Sequence, residues 1–580
     1  MSKSLFRTKK IESILAEGSD DTHSAGSLKR VLSMKDLTFF GIAAILGAGS
    51  FSSLGGAVFH GGPGVVILFV ITAIACAFTA FCYSEFASRI PVAGSAYTYA
   101  YASFGELFAW IIGWALIMEY SIGNIYVAYS WSDYFTSFLE KIGVHIPQYL
   151  CTSYMEVKDA MANGSTNPDT LEAFNKAPMA GSLKIIFDLP AFIINILITM
   201  LVYRGIKESR NFSNLMVILK MIVVALVIVV GGYLVFSHGL TPNWAPANDE
   251  GIKSFMPNGF GGVMAAVSGV FFAYIGFDAV SVLAEESKNP QRDLPRGMIL
   301  SLVICTIVYI LLTLVLTGAV NYRNFEGVGD PLAFIFEKQN LNVGWMQFFV
   351  AIAAVIAMTS VLLVFQMGQP RIWMSMSRDG LMPPIFQKIH PKFKTPSFAT
   401  IVTGLVVGIP ILFTDKTFVL DFTSIATLFA FVLVCGGVLL IPRKEKQAGK
   451  FHLPFINGQY IFPLIVIGSL LLARKLSASY FTDMFNFDFS GNADYTSGKI
   501  NFMDVATPNI TLLIFWCSAL LLSIVTFIKK YSLIPLMGLI TCMYLLTGMT
   551  KNNWAWFLGW LLIGLIVYFL YGYKKSKLAS

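Results

Sequence analysis

Three ionisable residues stand inside long apolar runs, where a charge is costly and marks a functional site by default. Lys220 lies in Asn214-Leu-Met-Val-Ile-Leu-Lys220-Met-Ile-Val-Val, about nine residues, or roughly 13 Å, into its run. Burial disfavours a charged amine, so this lysine is a candidate to gain and lose a proton; the competing reading is a stem that snorkels to the interface. Glu119 lies in Gly113-Trp-Ala-Leu-Ile-Met-Glu119-Tyr-Ser, about thirteen residues, or roughly 20 Å, deep. It could attract a cationic side chain, carry a proton, or pair with another buried group. Asp278 is suited to capping a helix.

Two glycine-broken segments supply a second kind of chemistry. They are Gly41-Ile-Ala-Ala-Ile-Leu-Gly47-Ala-Gly49-Ser-Phe51 and Val270-Phe-Phe-Ala-Tyr-Ile-Gly276-Phe-Asp278-Ala-Val280. A broken helix exposes free N–H groups at one half and free carbonyls at the other. A zwitterionic amino acid fits such a pair of ends. Its carboxylate would meet the N–H groups of Ala48, Gly49 and Ser50. Its ammonium would meet carbonyls at Ala44 or Ile45, and at Phe272, Ala273 and Ile275. Gly47 and Gly49 allow close backbone approach. Small residues also permit tight helix packing in membranes. Two breaks at comparable points of two halves favour a transporter binding site.

These residues need a membrane bundle to position them. The chain has 580 residues, 56% of them hydrophobic and only 13% charged, where a soluble protein would carry about 25% charged residues. A span needs roughly 20 apolar residues, which gives about fourteen spans. They lie near 37–59, 64–87, 106–138, 184–203, 212–236, 259–284, 297–320, 345–370, 397–414, 418–441, 459–475, 508–528, 532–549 and 553–573. The breaks fall in spans 1 and 6. That offset predicts two five-helix repeats of opposite orientation, spans 1–5 and 6–10. Residues 1–30 form a polar tail, 31–441 the ten-helix core, and 442–580 four further spans with a short tail.

Lys and Arg concentrate in alternate loops, as at Arg204, Lys207 and Arg210, or Arg371, Arg378, Lys388, Lys392 and Lys394. This distribution puts both termini in the cytoplasm of a multi-pass cell-membrane protein. It also explains the net charge of +8 without nucleic acid. The seven cysteines have no metal or disulfide spacing and suit apolar packing. No phosphate-binding loop, metal cluster or nucleophile elbow is present, so neither an enzyme, nor a cofactor, nor ATP-driven transport is expected. The loop at 139–183 carries an N-glycosylation pattern at Asn163-Gly-Ser165.

Four stretches carry a family resemblance. They are Gly47-Ala-Gly-Ser-Phe51; Glu85-Phe-Ala-Ser-Arg-Ile-Pro-Val-Ala-Gly-Ser-Ala-Tyr-Thr-Tyr99; Phe271-Phe-Ala-Tyr-Ile-Gly-Phe-Asp278 continuing through Glu285-Glu-Ser-Lys-Asn-Pro-Gln-Arg-Asp-Leu-Pro295; and Met374-Ser-Met-Ser-Arg-Asp-Gly-Leu-Met-Pro383. The chain resembles the amino acid–polyamine–organocation transporters, in particular their cationic amino acid branch. The resemblance implies a LeuT-like five-plus-five inverted-repeat bundle that holds the substrate backbone at the two breaks. It implies a secondary, proton-coupled carrier in which Lys220 takes the place of a bound sodium ion. It also implies that Glu119, in Met118-Glu-Tyr120, belongs to the substrate region. Ser50, Ser52 and Ser53 depart from the usual apolar pattern and make the first break more polar. A broad or neutral amino acid carrier or exchanger, a non-transporting amino acid sensor and a channel are the competing functions.

Overall fold

The computed structural model describes residues 5–14, 32–47, 49–92, 94–162, 167–181, 183–204, 210–248, 251–393, 395–442, 450–476, 479–488 and 501–578. Asn163 lies outside the described residues. Each predicted span is helical. Spans 2–5 are Val65–Arg89, Glu106–Lys141, Leu189–Arg204 and Arg210–Ser237. Spans 7–10 are Pro290–Ala319, Gly344–Arg378, Ser397–Ile411 and Lys416–Leu440. Spans 11–14 are Gly458–Leu476, Phe502–Lys529, Leu533–Leu546 and Lys551–Val567. Among the described residues, eight helical stretches are long and apolar enough to cross a membrane, the first running through spans 1 and 2, and three shorter apolar helices join them. The fold is an all-α, multi-pass membrane bundle of the inverted-repeat kind.

Spans 1 and 6 are the interrupted ones. Span 1 runs Met34–Ile45, bends, makes a π-helical turn over Gly49–Ser53 and resumes at Leu54–Gly61. Span 6 runs Gly259–Ala265 and Val267–Phe272, turns, and continues as a 3-10 helix over Asp278–Glu286. The two lie antiparallel. Leu32, before span 1, bridges Ser287, after span 6. At the far end Asn258 Nδ2 donates to His60 O at 2.8 Å.

The loop after span 3 is an accessory cap. It holds two short helices, Tyr154–Ala162 and Pro168–Lys176, and a small hairpin pairing Ala180 with Leu183. Asn167 caps the second helix through Asp169 N at 2.9 Å, as expected of Asn before Pro. Val157, Ala173, Ala177 and Ile186 give the cap its own apolar cluster. Span 14 packs on span 3, where Trp114 and Trp560 stack at 4.8 Å and each indole donates to the other's carbonyl. Phe462, Phe515, Trp516 and Leu536 of spans 11–13 form a cluster separate from the main core.

Both tails meet at one end of the bundle, here termed the tail face. The first N–H groups of span 3 lack helical acceptors; those of Glu106 and Leu107 donate to Arg7 O and Leu5 O at 2.9 and 3.2 Å. Gly105 has φ +95°, and a side chain there would strike the backbone of Phe6 at 2.6 Å. The Glu106 carboxylate is fully buried. It accepts from Arg7 at 3.1 Å, Tyr568 at 2.9 Å, Tyr101 at 3.2 Å, and Ser576. Beside it, Lys9 pairs with Asp379 at 2.7 Å, Tyr97 Oη donates to the same carboxylate at 2.6 Å, and Lys577 N donates to Asp379 O. Replacing Glu106 with Ala strands the Arg7 cation. The expected destabilisation is about 3 kcal/mol, typical of a buried pair that loses one partner. It should appear as a melting temperature lowered by several degrees in detergent; an unchanged melting temperature would deny the node a structural role.

Candidate functional site

The sequence brings the two breaks together through their smallest residues. A Cβ on Gly49 would lie 2.5 Å from Ala273 Cα, so the first break touches the backbone of the second. Gly276 returns the contact: at φ +116°, a Cβ there would lie 2.8 Å from Ala44 Cβ and 3.0 Å from Ala44 C. Ser53 Oγ donates to Gly49 O at 2.8 Å and reaches Gly269 O of span 6 at 3.0 Å. The whole region is closed off from solvent: Phe51 and Ala273 are fully buried, Phe272 nearly so.

The groups expected to meet a zwitterion are partly engaged within the protein. Ser50 N and Phe51 N both donate to Gly47 O, at 3.0 and 3.1 Å, at the entry to the π-helical turn over Gly49–Ser53. Ser50 Oγ also donates to Gly47 O at 3.0 Å, which uses its donor and leaves its lone pairs. On the carbonyl side, Phe272 O accepts from Ile275 N at 3.1 Å. Ile45 O and Ala273 O converge on the hydroxyl of Tyr309, at 2.8 and 2.7 Å. Ala44 lies against Gly276, and Gly47 against Val361 of span 8. Ala48 lies outside the described residues.

Lys220 comes from span 5 to the open end of the first half-helix. It is 1% exposed, which excludes the snorkelling alternative. Its Nζ donates to Ala43 O at 2.9 Å and Leu46 O at 2.8 Å. A cation at a helix C-terminus complements the partial negative charge there. Glu119 (span 3) and Asp278 (span 6) are both buried, and each leaves one carboxylate oxygen without a hydrogen-bond partner. Asp278 opens the 3-10 helix that follows the second break, and its carboxylate lies against the backbone N–H groups of Gly276 and Ala279. Among the described residues no cluster could hold a metal ion.

Two features escaped the sequence. Tyr309 bridges both breaks from span 7, where nothing in the sequence sets it apart from other membrane tyrosines. A buried amide chain joins spans 3, 4 and 8: Asn124 donates to Gln366, Gln366 to Thr199 at 2.8 Å, and Gln369 to Ser121 at 2.6 Å. Replacing Tyr309 with Phe removes the donor between two buried carbonyls. A buried group left unpaired costs about 1–3 kcal/mol. Uptake should fall about tenfold, the equivalent of 1.4 kcal/mol, with the protein still monodisperse; full activity would make the hydroxyl dispensable.

A helical membrane bundle whose two interrupted spans meet at a buried point is the architecture of a solute transporter. The chain belongs to the amino acid permease family of the amino acid–polyamine–organocation superfamily, whose profile matches residues 32–487. It is 36% identical to the branched-chain amino acid permease BcaP of Bacillus subtilis over the full length of both chains. It is 39% identical to the methylthioribose transporter of the same organism, over 81% of this chain and 92% of the relative. It is 32% identical to cationic amino acid transporter 2, vacuolar, of Arabidopsis thaliana, over 100% of this chain and 94% of the relative. Family and relatives alike are transporters, not enzymes.

Proposed function

We propose that the protein is a proton-coupled secondary carrier of amino acids, with cationic amino acids preferred, working by alternating access at the paired breaks. The carrying observation is the Lys220 amine bonded to two carbonyls at the open end of a broken helix. Unwound carbonyls at such ends coordinate coupling ions in carriers of this architecture. An amine tethered there gives a proton the same purchase: protonated it holds the half-helix, and neutral it holds it less firmly. The remaining backbone groups of Ala44, Ile45, Gly47, Ala48, Gly49, Ser50, Phe272, Ala273 and Ile275 would receive the substrate's carboxylate and ammonium. Tyr309 would yield its carbonyls in exchange. The two unpaired carboxylate oxygens of Glu119 and Asp278 support a cationic side chain.

In this reading the tail face is cytoplasmic, residues 31–441 form the transport core, and spans 11–14 flank it in the cell membrane. A second reading, a carrier of branched-chain or other neutral amino acids, is favoured by the full-length likeness to the branched-chain permease. Proteoliposomes with an imposed pH gradient test both. Labelled lysine should accumulate with the gradient and be displaced by arginine ahead of leucine. Displacement by leucine, isoleucine and valine at lower concentration selects the second reading, and gradient-independent uptake removes proton coupling.

A further inference from the structure

On the tail face, the described end of the connection from span 10 to span 11 is laid across the ends of spans 2 and 7. Glu85 of span 2 holds it. This buried carboxylate accepts from Arg89 Nε at 2.6 Å and from Leu453 N at 2.7 Å. Arg89 also donates to Pro442 O at 2.8 Å. Ser88 Oγ donates to Phe451 O at 3.0 Å, and Phe451 N donates to Gln291 O of span 7 at 3.3 Å. The Phe451 ring stacks on Phe81 of span 2 at 6.4 Å. Residues 451–453 therefore form a strap over two helices that pack on each other.

Three residues further on, the strap bonds to the turn between spans 12 and 13. Leu533 N donates to Ile456 O at 2.8 Å, and Gly458 N donates to Tyr531 O at 2.9 Å. Lys529 and Lys530 lead into this turn, and both are exposed. Lys529 complements the negative end of its helix. Lys530 lies past that end at φ +55°, a position that usually falls to Gly or Asn, so the backbone does not account for a lysine there. Just inside the cations, Tyr460, Ile524, Phe527 and Ile528 are 61%, 61%, 51% and 69% exposed. The Tyr460 and Phe527 rings meet edge-on at 5.7 Å. Lys and Arg biased to one side orient a membrane chain, but that bias calls for neither an aromatic wall beneath them nor a left-handed lysine. The described carboxylates beside the strap, Glu85 and Asp293, are buried against Arg89 and Arg292, so the exposed charge here is positive. Cations at headgroup level above a lipid-facing wall match the two parts of an anionic phospholipid, its phosphate and its upper chains.

We propose that Lys529 and Lys530 hold the headgroup of an anionic phospholipid, with its chains along Tyr460 and Phe527, and that the bound lipid steadies the strap on Glu85. A cation near such a headgroup strengthens binding about fivefold. The full-length protein in detergent is titrated with phosphatidylglycerol or with phosphatidylcholine, and bound lipid is counted by native mass spectrometry. The parent should hold phosphatidylglycerol about twenty-five-fold more tightly, for two cations. Lys529→Gln with Lys530→Asn should abolish that preference; Asn suits the left-handed position, so the turn is kept. Lys529→Arg with Lys530→Arg should retain it. Equal retention of the two lipids by the parent overturns the site, as does an undiminished preference in the Gln/Asn variant. Should that variant fail to fold, Lys529→Gln alone decides, with about a fivefold loss. Hydrogen exchange in nanodiscs reads the strap: adding phosphatidylglycerol to phosphatidylcholine should slow exchange of the Leu453 amide in the parent and not in the Gln/Asn variant. Exchange that ignores the lipid in the parent overturns the link to Glu85. Neither readout needs a substrate, so a protein that transports no amino acid can still pass both.

Discussion

Replacing Lys220 with Met should abolish pH-driven uptake while the protein still reaches the membrane and remains monodisperse. The substitution keeps the length and apolar stem of the side chain and removes only the amine. Two hydrogen bonds vanish with it, to Ala43 O and Leu46 O. Bonds to a charged donor contribute about 1.5–3 kcal/mol each, and each 1.36 kcal/mol is tenfold in rate. A loss of about a hundredfold in gradient-driven uptake is the expected result. Substrate-for-substrate exchange without a gradient should fall less, because it requires no net proton movement. Lys220→Arg separates charge from proton exchange: it keeps a cation but, being always protonated, should lock the carrier. Undiminished uptake by Lys220→Met would remove this residue from the coupling mechanism.

Gly49→Ala is expected to be nearly as damaging, for a reason that involves no charge. The added carbon would sit 2.5 Å from Ala273 Cα, and a backbone atom cannot swing aside as a side chain can. Overpacking of this kind costs about 1–3 kcal/mol, and here it forces apart the two strands of backbone that would receive the substrate. Gly276→Ala adds left-handed strain at φ +116° to its clash with Ala44. Both variants should lose at least about tenfold in substrate binding, measured by scintillation proximity, and should melt earlier. Gly56→Ala is the control, since nothing lies within 4 Å of the added carbon; it should bind as the parent does. Equal binding by all three variants would show that the breaks need not touch.

Much of the fold was legible because hydropathy and glycine act locally. An apolar run of membrane length announces its helix whatever surrounds it, and the two weak points of the chain became its two interrupted spans. Depth was legible for the same reason, so Lys220 and Glu119 stood out. Partners were not. That Lys220 reaches Ala43 and Leu46, 177 and 174 residues away, depends on how span 5 leans on span 1. Tyr309 was hidden because it is one of 23 tyrosines and its function comes only from where two distant carbonyls point. Ser50 was legible as polar, but not that its hydroxyl donates to Gly47 O three residues back.

The joint at Glu106 also sets an order of manufacture. A ribosome makes Arg7 and Glu106 early, but Tyr568 and Ser576, which donate to the same carboxylate, emerge more than 450 residues later. Through most of synthesis this charge has only its early partners. The nascent protein must therefore carry a half-made joint while span after span enters the bilayer, until the residues that follow span 14 complete it.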